Sequence, residues 1–101
     1  MVTTSEKQEL KKLLVTGLKQ DKDIRKIVIF GSFLSTDNPH DMDVAVFQES
    51  TGDYLNLAMK YRKLLRTVSK RIPIDIFPIR PNVGDASILS EIENGEVVYE
   101  K

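Results

Sequence analysis

The segment from residue 41 to residue 46 restricts the fold most, because its residues alternate strictly between two chemical classes. The two sets are Met42, Val44 and Val46 on one side and Asp41, Asp43 and Ala45 on the other. Successive side chains of a β-strand point to opposite faces of a sheet. The alternation therefore predicts a strand with one apolar face, which must be covered, and one acidic face.

Segments on both sides of this strand have the periodicity needed to cover its apolar face. Ser5 and Gln8 form an expected capping box for a helix over about 5–19. A β-branched run over 24–30 predicts a strand that ends at a sharp turn at Gly31-Ser32. The other expected elements are a polar loop over 35–40, a helix from Asp53 to about Ser69, a strand over 72–77 ended by Pro78 and Pro81, a short helix over 87–94 and a short strand over 97–99.

The length and composition fit one compact domain over residues 1–101. The chain has 101 residues, of which 41% are hydrophobic, and this allows one core and leaves no room for two. The element order predicts an α/β (α+β) fold in which helices pack on a small mixed sheet.

The charge balance and the absence of cysteine exclude several classes of function. The 15 basic and 15 acidic residues cancel, so no global charge attracts the chain to nucleic acid or to an anionic membrane. With no cysteine, disulfides, thiolate zinc sites and thiol nucleophiles are excluded. There is neither an N-terminal apolar run nor a segment near the roughly 20 apolar residues of a membrane span. We expect a soluble cytoplasmic protein.

A third aspartate stands in register with the acidic pair. Asp75 lies between Ile74 and Ile76 in an apolar strand, so it projects to the face opposite the core. If this strand neighbours the one with Asp41 and Asp43, the three carboxylates meet. Unit charges about 4 Å apart repel by roughly 4 kcal/mol at an effective dielectric constant of about 20. Such a cluster needs a cation, and Mg²⁺ prefers oxygen ligands of this kind.

The Gly31-Ser32 turn is the expected phosphate site. Glycine allows the backbone to approach a ligand closely, and exposed N–H groups at a turn favour an anion. Ser32 adds a hydroxyl donor.

Together these segments resemble the minimal nucleotidyltransferases of the DNA polymerase β superfamily. The resemblance rests on Ile29-Phe30-Gly31-Ser32, then Asp41-Met42-Asp43-Val44, then Ile74-Asp75-Ile76, and it covers about 24–79. The segment from Ile92 to Tyr99 is also similar to the usual end of this family.

The resemblance implies a magnesium-dependent transfer of a nucleoside monophosphate, AMP from ATP or the equivalent from another triphosphate, to a hydroxyl. It implies that Asp41 and Asp43 bind the metal with the nucleotide, and that Asp75, a third metal ligand, helps to ionise the acceptor. Gly31 and Ser32 are implied to hold the phosphates. Small members of the family pair with a HEPN protein as antitoxins that add AMP to the toxin, so a HEPN-like partner is implied as well.

One departure from the family pattern keeps a second function open. Many members carry Arg-Gly soon after Gly-Ser, whereas this chain has Phe33-Leu34-Ser35-Thr36. The alternative is a module with little or no catalysis that neutralises a HEPN-like partner by binding it. A sugar-nucleotide glycosyltransferase fails on length. Because so short a chain encloses little, we expect a partner or a second copy to complete the acceptor site.

Overall fold

A computed structural model of the protein describes residues 3–49, 52–80 and 86–101. Five helices and four strands alternate along the described chain. They are α1 (Thr4–Leu18), β1 (Ile24–Phe30), α2 (Ser32–Ser35), β2 (Met42–Gln48), α3 (Tyr54–Leu64), α4 (Arg66–Ser69), β3 (Ile74–Ile79), α5 (Ala86–Glu93) and β4 (Glu96–Glu100). No helix in these ranges is both long enough and apolar enough to cross a membrane.

The four strands form one mixed sheet in the order β3-β2-β1-β4. β1 is antiparallel to both β2 and β4, whereas β2 and β3 are parallel. Parallel neighbours require a crossover connection, and α3 and α4 lie within it. The predicted α/β class with a small mixed sheet is therefore confirmed.

The main core lies between one face of the sheet and helices α1 and α3. Leu14, Leu18 and Tyr61 are completely buried there against Val44 of β2. Gly17 lets the two helices approach closely, because a Cβ at this position would lie 2.8 Å from the carbonyl oxygen of Leu64. The apolar sides predicted for strands 24–30 and 41–46 and for both long helices thus form one continuous core.

A second, smaller core covers part of the acidic face. Val28, Phe30 and Ala45 of the sheet are buried there with Ile92 of α5. The alternation of β2 predicted one acidic face, and the structure shows that part of this face is covered. The physical reason is that β1 is apolar on both sides, as expected for a strand between two layers.

The capping box expected at Ser5 and Gln8 is wrong by two residues. Thr3 is the N-cap of α1, and its Oγ1 accepts a hydrogen bond from the Glu6 backbone N–H at 3.1 Å, while the Glu6 carboxylate reaches back to the Thr3 N–H at 3.5 Å. Both pairs have the required spacing. A charged glutamate in the first turn also suits the positive end of a helix, which favours the observed pair.

The long helix expected from Asp53 to Ser69 is two helices. Asp53 caps α3 as predicted, accepting from the Asn56 N–H at 2.8 Å. The chain leaves helical geometry at Leu65, with φ −104° and ψ 18°, before α4 begins. With this break, Leu65 and Val68 are both buried in the main core.

The prediction that Pro78 ends the third strand is wrong, because Pro78 lies inside β3. Pro81, the other predicted end, lies outside the described residues. The Tyr54 hydroxyl donates to the Ile76 carbonyl at 3.5 Å, so this carbonyl points away from β2 to the outer edge. Backbone direction repeats every second residue, so the nitrogen of Pro78 faces the same edge, where the ladder needs no N–H. β3 is an edge strand of the sheet, which makes this position possible for a proline.

Candidate active site

The three predicted aspartates lie together at one end of the β2–β3 pair. Asp43 and Asp75 are direct partners in the parallel register, and Asp41 stands two residues before Asp43, so all three share one face. One carboxylate oxygen from each lies within 4.8 Å of the others. Asp41 and Asp43 are half-buried, whereas Asp75 is exposed. The parallel register of β2 and β3 thus brings Asp75 next to Asp41 and Asp43, although it is more than 30 residues away in sequence.

The electrostatics of this cluster are unfavourable for three free carboxylates. Partial burial, followed by the charges of Asp41 and Asp75 and a hydrogen bond with Asp75, raises the pKa of Asp43 from 3.8 to about 6. The negative charge of Glu91 in α5 raises the pKa of Asp43 further. No basic side chain forms an ion pair with any of these aspartates among the described residues.

Gly31 is in direct contact with the acidic cluster. It follows β1 with φ 78° and ψ −155°, a region of backbone conformation that is essentially restricted to glycine. A Cβ on Gly31 would lie 2.5 Å from Oδ2 of Asp43. The turn predicted for phosphate binding therefore lies directly beside one of the predicted metal ligands, and any side chain there would fill the space between them.

Ser32 begins the one-turn helix α2 and is exposed, as is Gly31. The Leu34 N–H donates to the Gly31 carbonyl at 3.2 Å, and the Thr36 N–H donates to the Ser32 carbonyl at 3.1 Å. Phe33 points inward and is completely buried in the main core. Backbone hydrogen bonds and the buried Phe33 ring thus hold this turn on its core side, while Gly31 and Ser32 remain exposed.

Two aromatic residues and one acid near the site were missed from the sequence. Phe30 is opposite Asp43 in the β1–β2 register, and Phe77 follows Asp75 by two residues, so both rings are on the acidic face. Their centroids are 5.6 Å apart. The two rings belong to the second core, which could have been inferred from the apolar run 27–30 of β1. Glu91 is an exposed residue of α5.

This donor set fits a divalent cation. Three converging carboxylates are hard oxygen ligands, and no basic side chain among the described residues forms an ion pair with them. Asp41, Asp43 and Asp75 are the residues that could hold such an ion. Beside it, the exposed backbone at Gly31 and Ser32 offers room for an anionic group.

Comparison with known proteins gives a family match over most of the chain. A family model described as "Polymerase beta, Nucleotidyltransferase" matches residues 11–101. No curated protein matches the sequence.

Several solved structures have a similar fold. One is the tri-AMPylated Shewanella oneidensis HEPN toxin in complex with MNT antitoxin, with a TM-score of 0.66, 17% identity and coverage of 94% of this chain and 73% of that one. Another is a toxin–antitoxin with AMP-PNP, with a TM-score of 0.66, 17% identity and coverage of 90% and 73%. A third is the toxin–antitoxin MntA-HepT, with a TM-score of 0.63, 16% identity and coverage of 93% and 73%. At these identities the likeness concerns the fold.

Proposed function

We propose that this chain, which belongs to the polymerase beta nucleotidyltransferase family, is the antitoxin of a toxin–antitoxin pair and transfers AMP from ATP to a hydroxyl of its protein partner. The observation that carries the proposal is the convergence of Asp41, Asp43 and Asp75 within 4.8 Å beside Gly31. We also propose that residues 1–101 form a single nucleotidyltransferase domain and that the reaction takes place in the cytoplasm.

The site separates into a metal half and a phosphate half. We assign Asp41 and Asp43 to Mg²⁺ bound with the triphosphate, and Asp75 to the side of the acceptor hydroxyl. Mg²⁺ held there would neutralise the triphosphate and stabilise the charge that develops on the leaving pyrophosphate. Gly31 and Ser32 would bind the phosphates through backbone N–H groups and the serine hydroxyl.

The chain's own residues contribute mainly positioning. The acceptor oxygen forms a bond to the α-phosphorus of ATP, the bond to pyrophosphate breaks, and the acceptor proton leaves to a base. Asp75 is suited to orient that hydroxyl and to take its proton, because it is the most exposed of the three carboxylates. Alignment of the two reacting groups and charge neutralisation supply most of the acceleration in such reactions.

The protein partner is proposed from the similar structures and from one exposed surface. One of these structures is an AMPylated HEPN toxin in complex with MNT antitoxin, so a HEPN-like protein is the acceptor that we propose. On α3, Leu55 and Met59 are 67% and 60% exposed, one turn apart, with Arg62 and Lys63 on the next turn. Such a patch is typical of a protein–protein contact.

Calorimetric titration of ATP with Mg²⁺ tests the nucleotide half of the proposal. We expect binding to the wild type and none to the double variant Asp41→Asn/Asp43→Asn, with Asp37→Asn, an exposed loop residue, as the control. Failure of the folded wild type to bind would overturn the enzymatic function. For the transfer, a protein that co-purifies with the wild type should show the added mass of an AMP group. The same protein purified with the double variant should not show this added mass.

The second candidate is a module that neutralises a HEPN-like partner by binding without catalysis. The segment Phe33-Leu34-Ser35-Thr36 favours it, because many members of the family carry Arg-Gly there and this chain offers the triphosphate no guanidinium at that place. The two candidates differ in the double variant Asp41→Asn/Asp43→Asn: the binding module keeps its neutralising effect, whereas the enzyme loses it.

A further inference from the structure

We infer that Lys7 is a positioning residue for the phosphate-binding turn, and this inference rests on the proposed function. Lys7 is far from Gly31 and Ser32 in sequence and lies in the first half of α1. Nevertheless its side chain crosses to the segment that follows the turn. Its Nζ donates to the Thr36 carbonyl at 2.6 Å, a partly buried contact.

The same ammonium group makes a second contact within the turn. Nζ of Lys7 lies 5.5 Å from the centroid of the Phe33 ring, a cation–π distance. Phe33 and Thr36 are the second and last residues of the segment that starts at Ser32, since Thr36 is the C-cap of α2. Lys7 therefore holds the inner side and the end of α2 at once.

Helix α2 needs external contacts to keep its place. It has only four residues, and so short a helix has no stability of its own in water. Its N-cap is Gly31, which has no side chain that could cap the helix. Its position consequently depends on buried Phe33 and on a positive charge at the carbonyl end, where a cation is favourable. Lys7 supplies that charge.

α1 is a firm support for this contact. Leu10, Leu14 and Leu18 fix the helix in the main core, and the Lys7 N–H donates to the Thr3 carbonyl at 2.9 Å within the capped first turn. Through Lys7, the core helix restrains the segment that continues directly from Ser32. Loss of the ammonium group would release the end of α2 and misplace Ser32, while Phe33 still anchors the fold.

The consequence is a specific defect in nucleotide binding. Lys7→Met keeps the apolar stem and removes the charge, and we expect it to weaken the binding of ATP with Mg²⁺ about tenfold, as for the loss of one charged hydrogen bond. Lys7→Arg should recover most of the affinity. Lys12→Met, in an exposed position of the same helix, is the matched control and should bind as the wild type does.

Two further readouts separate positioning from a general structural role. The affinity for Mn²⁺ alone, measured by electron paramagnetic resonance, should be the same in Lys7→Met and wild type, because the aspartates are on other elements. Amide hydrogen exchange at Leu34 and Thr36 should accelerate in Lys7→Met alone. Equal ATP affinity in Lys7→Met and wild type would overturn the inference, as would a parallel loss of Mn²⁺ affinity and thermal stability.

The exchange measurement also keeps this inference distinct from the proposed function. If the wild type binds no ATP, the proposed function fails, and the exchange at Leu34 and Thr36 still decides whether Lys7 holds α2. Unchanged exchange in Lys7→Met would then overturn the positioning role as well. If the wild type binds ATP and Lys7→Met binds it equally, only the inference about Lys7 fails.

Discussion

Two aspartates of this protein, Asp21 and Asp43, meet the cost of burial in opposite ways. Asp21 has a side chain that is 5% exposed, and its Oδ2 pairs with Nζ of Lys60 at 2.5 Å while its Oδ1 accepts the Asp23 N–H at 2.9 Å. Asp43 has other carboxylates as neighbours, and its pKa is raised to about 6.

The difference separates a structural carboxylate from one to which the proposed function assigns a metal ion. A buried charge is costly unless it is paired, and at Asp21 the chain provides the partner itself. At Asp43 it provides two more acids and a glycine that leaves space. Unrelieved repulsion of this kind is common at functional sites, where a substrate or an ion supplies the missing charge.

The largest effect that would sharpen this comparison is expected for Gly31→Ala. The new Cβ would collide with Oδ2 of Asp43, and the backbone would be strained at φ 78°. We expect the affinity for ATP with Mg²⁺ to fall about a hundredfold, because misplacement by about 1 Å has effects of this size in active sites. Calorimetry measures it, with Ser35→Ala as the control. Wild-type affinity in Gly31→Ala would show that the turn does not bind the nucleotide.

The next effect concerns stability at the other aspartate. Lys60→Met should lower the free energy of unfolding by about 2 kcal/mol, because it leaves Asp21 buried without a counter-charge. The loss is smaller than for a fully buried pair because the ammonium group of Lys60 is half-exposed and its charge is screened by solvent. Urea denaturation measures this change. Lys63→Met, on the exposed side of the same helix, should have almost no effect, and neither variant should alter ATP binding. Equal stability of the two variants would remove the contrast between the aspartates.

A smaller effect of opposite sign is expected at the acidic cluster. Asp43→Asn removes a repelled charge and should stabilise the metal-free protein at pH 7 by about 1 kcal/mol. This is less than the full shift of the Asp43 pKa would imply, because solvent screens the partly exposed carboxylate. Thermal unfolding in a chelator measures it, with Asp37→Asn as the control. A destabilised Asp43→Asn would mean that the carboxylate is satisfied within the protein.

The same residue predicts how stability depends on pH. The pKa of Asp43 is about 6 in the folded protein and 3.8 in the unfolded one, so the folded protein binds more protons between these values. The stability contributed by this group is thus complete below about pH 4 and is lost as the pH rises through about 6. The difference in Tm between Asp43→Asn and wild type should grow over that range, and added Mg²⁺ should reduce it at pH 7. A constant difference would contradict the assignment.

The smallest effect is expected for Tyr61→Phe. The Tyr61 hydroxyl is buried and has no hydrogen-bond partner in the described parts of the chain, and burial and then the charges of Asp21 and Asp23 raise the pKa of this phenol. Removing the hydroxyl should change the free energy of unfolding by only about 0.5 kcal/mol. The substitution removes a buried polar group that has no partner, which is favourable, and leaves a small gap in the core, which is unfavourable, so the two effects nearly cancel. A loss above about 1.5 kcal/mol would reveal a hydrogen bond to an ordered water.

Much of the fold and of the candidate site could be predicted from local sequence patterns. Period-two alternation placed Asp41 and Asp43 on one face, and the isoleucines around Asp75 placed it on the face opposite the core. That the two strands are neighbours was a condition of the prediction, and the β2–β3 register supplies it. These predictions succeed because each residue of a strand is committed to one face by the residues beside it.

The remaining features depend on tertiary contacts that no short window contains. Pro78 is tolerated inside β3 because its nitrogen faces an edge, and the location of that edge follows from the order of all four strands. The cover that α5 gives to the acidic face, and with it the contribution of Glu91 to the pKa of Asp43, requires knowing where a distant helix packs. The contact of Lys7 with Thr36 is likewise invisible in the sequence.

The parallel pairing of β2 with β3 also determines when the acidic cluster comes into existence during folding. Asp43 belongs to an antiparallel pair with β1, and Asp41 directly precedes β2, whereas Asp75 reaches them through a parallel pair that is connected by the crossover through α3 and α4. Long-range parallel pairing is a slow step in folding. We therefore expect the third carboxylate to join the cluster late in folding, so that molecules in which β3 has not yet paired with β2 lack the complete cluster.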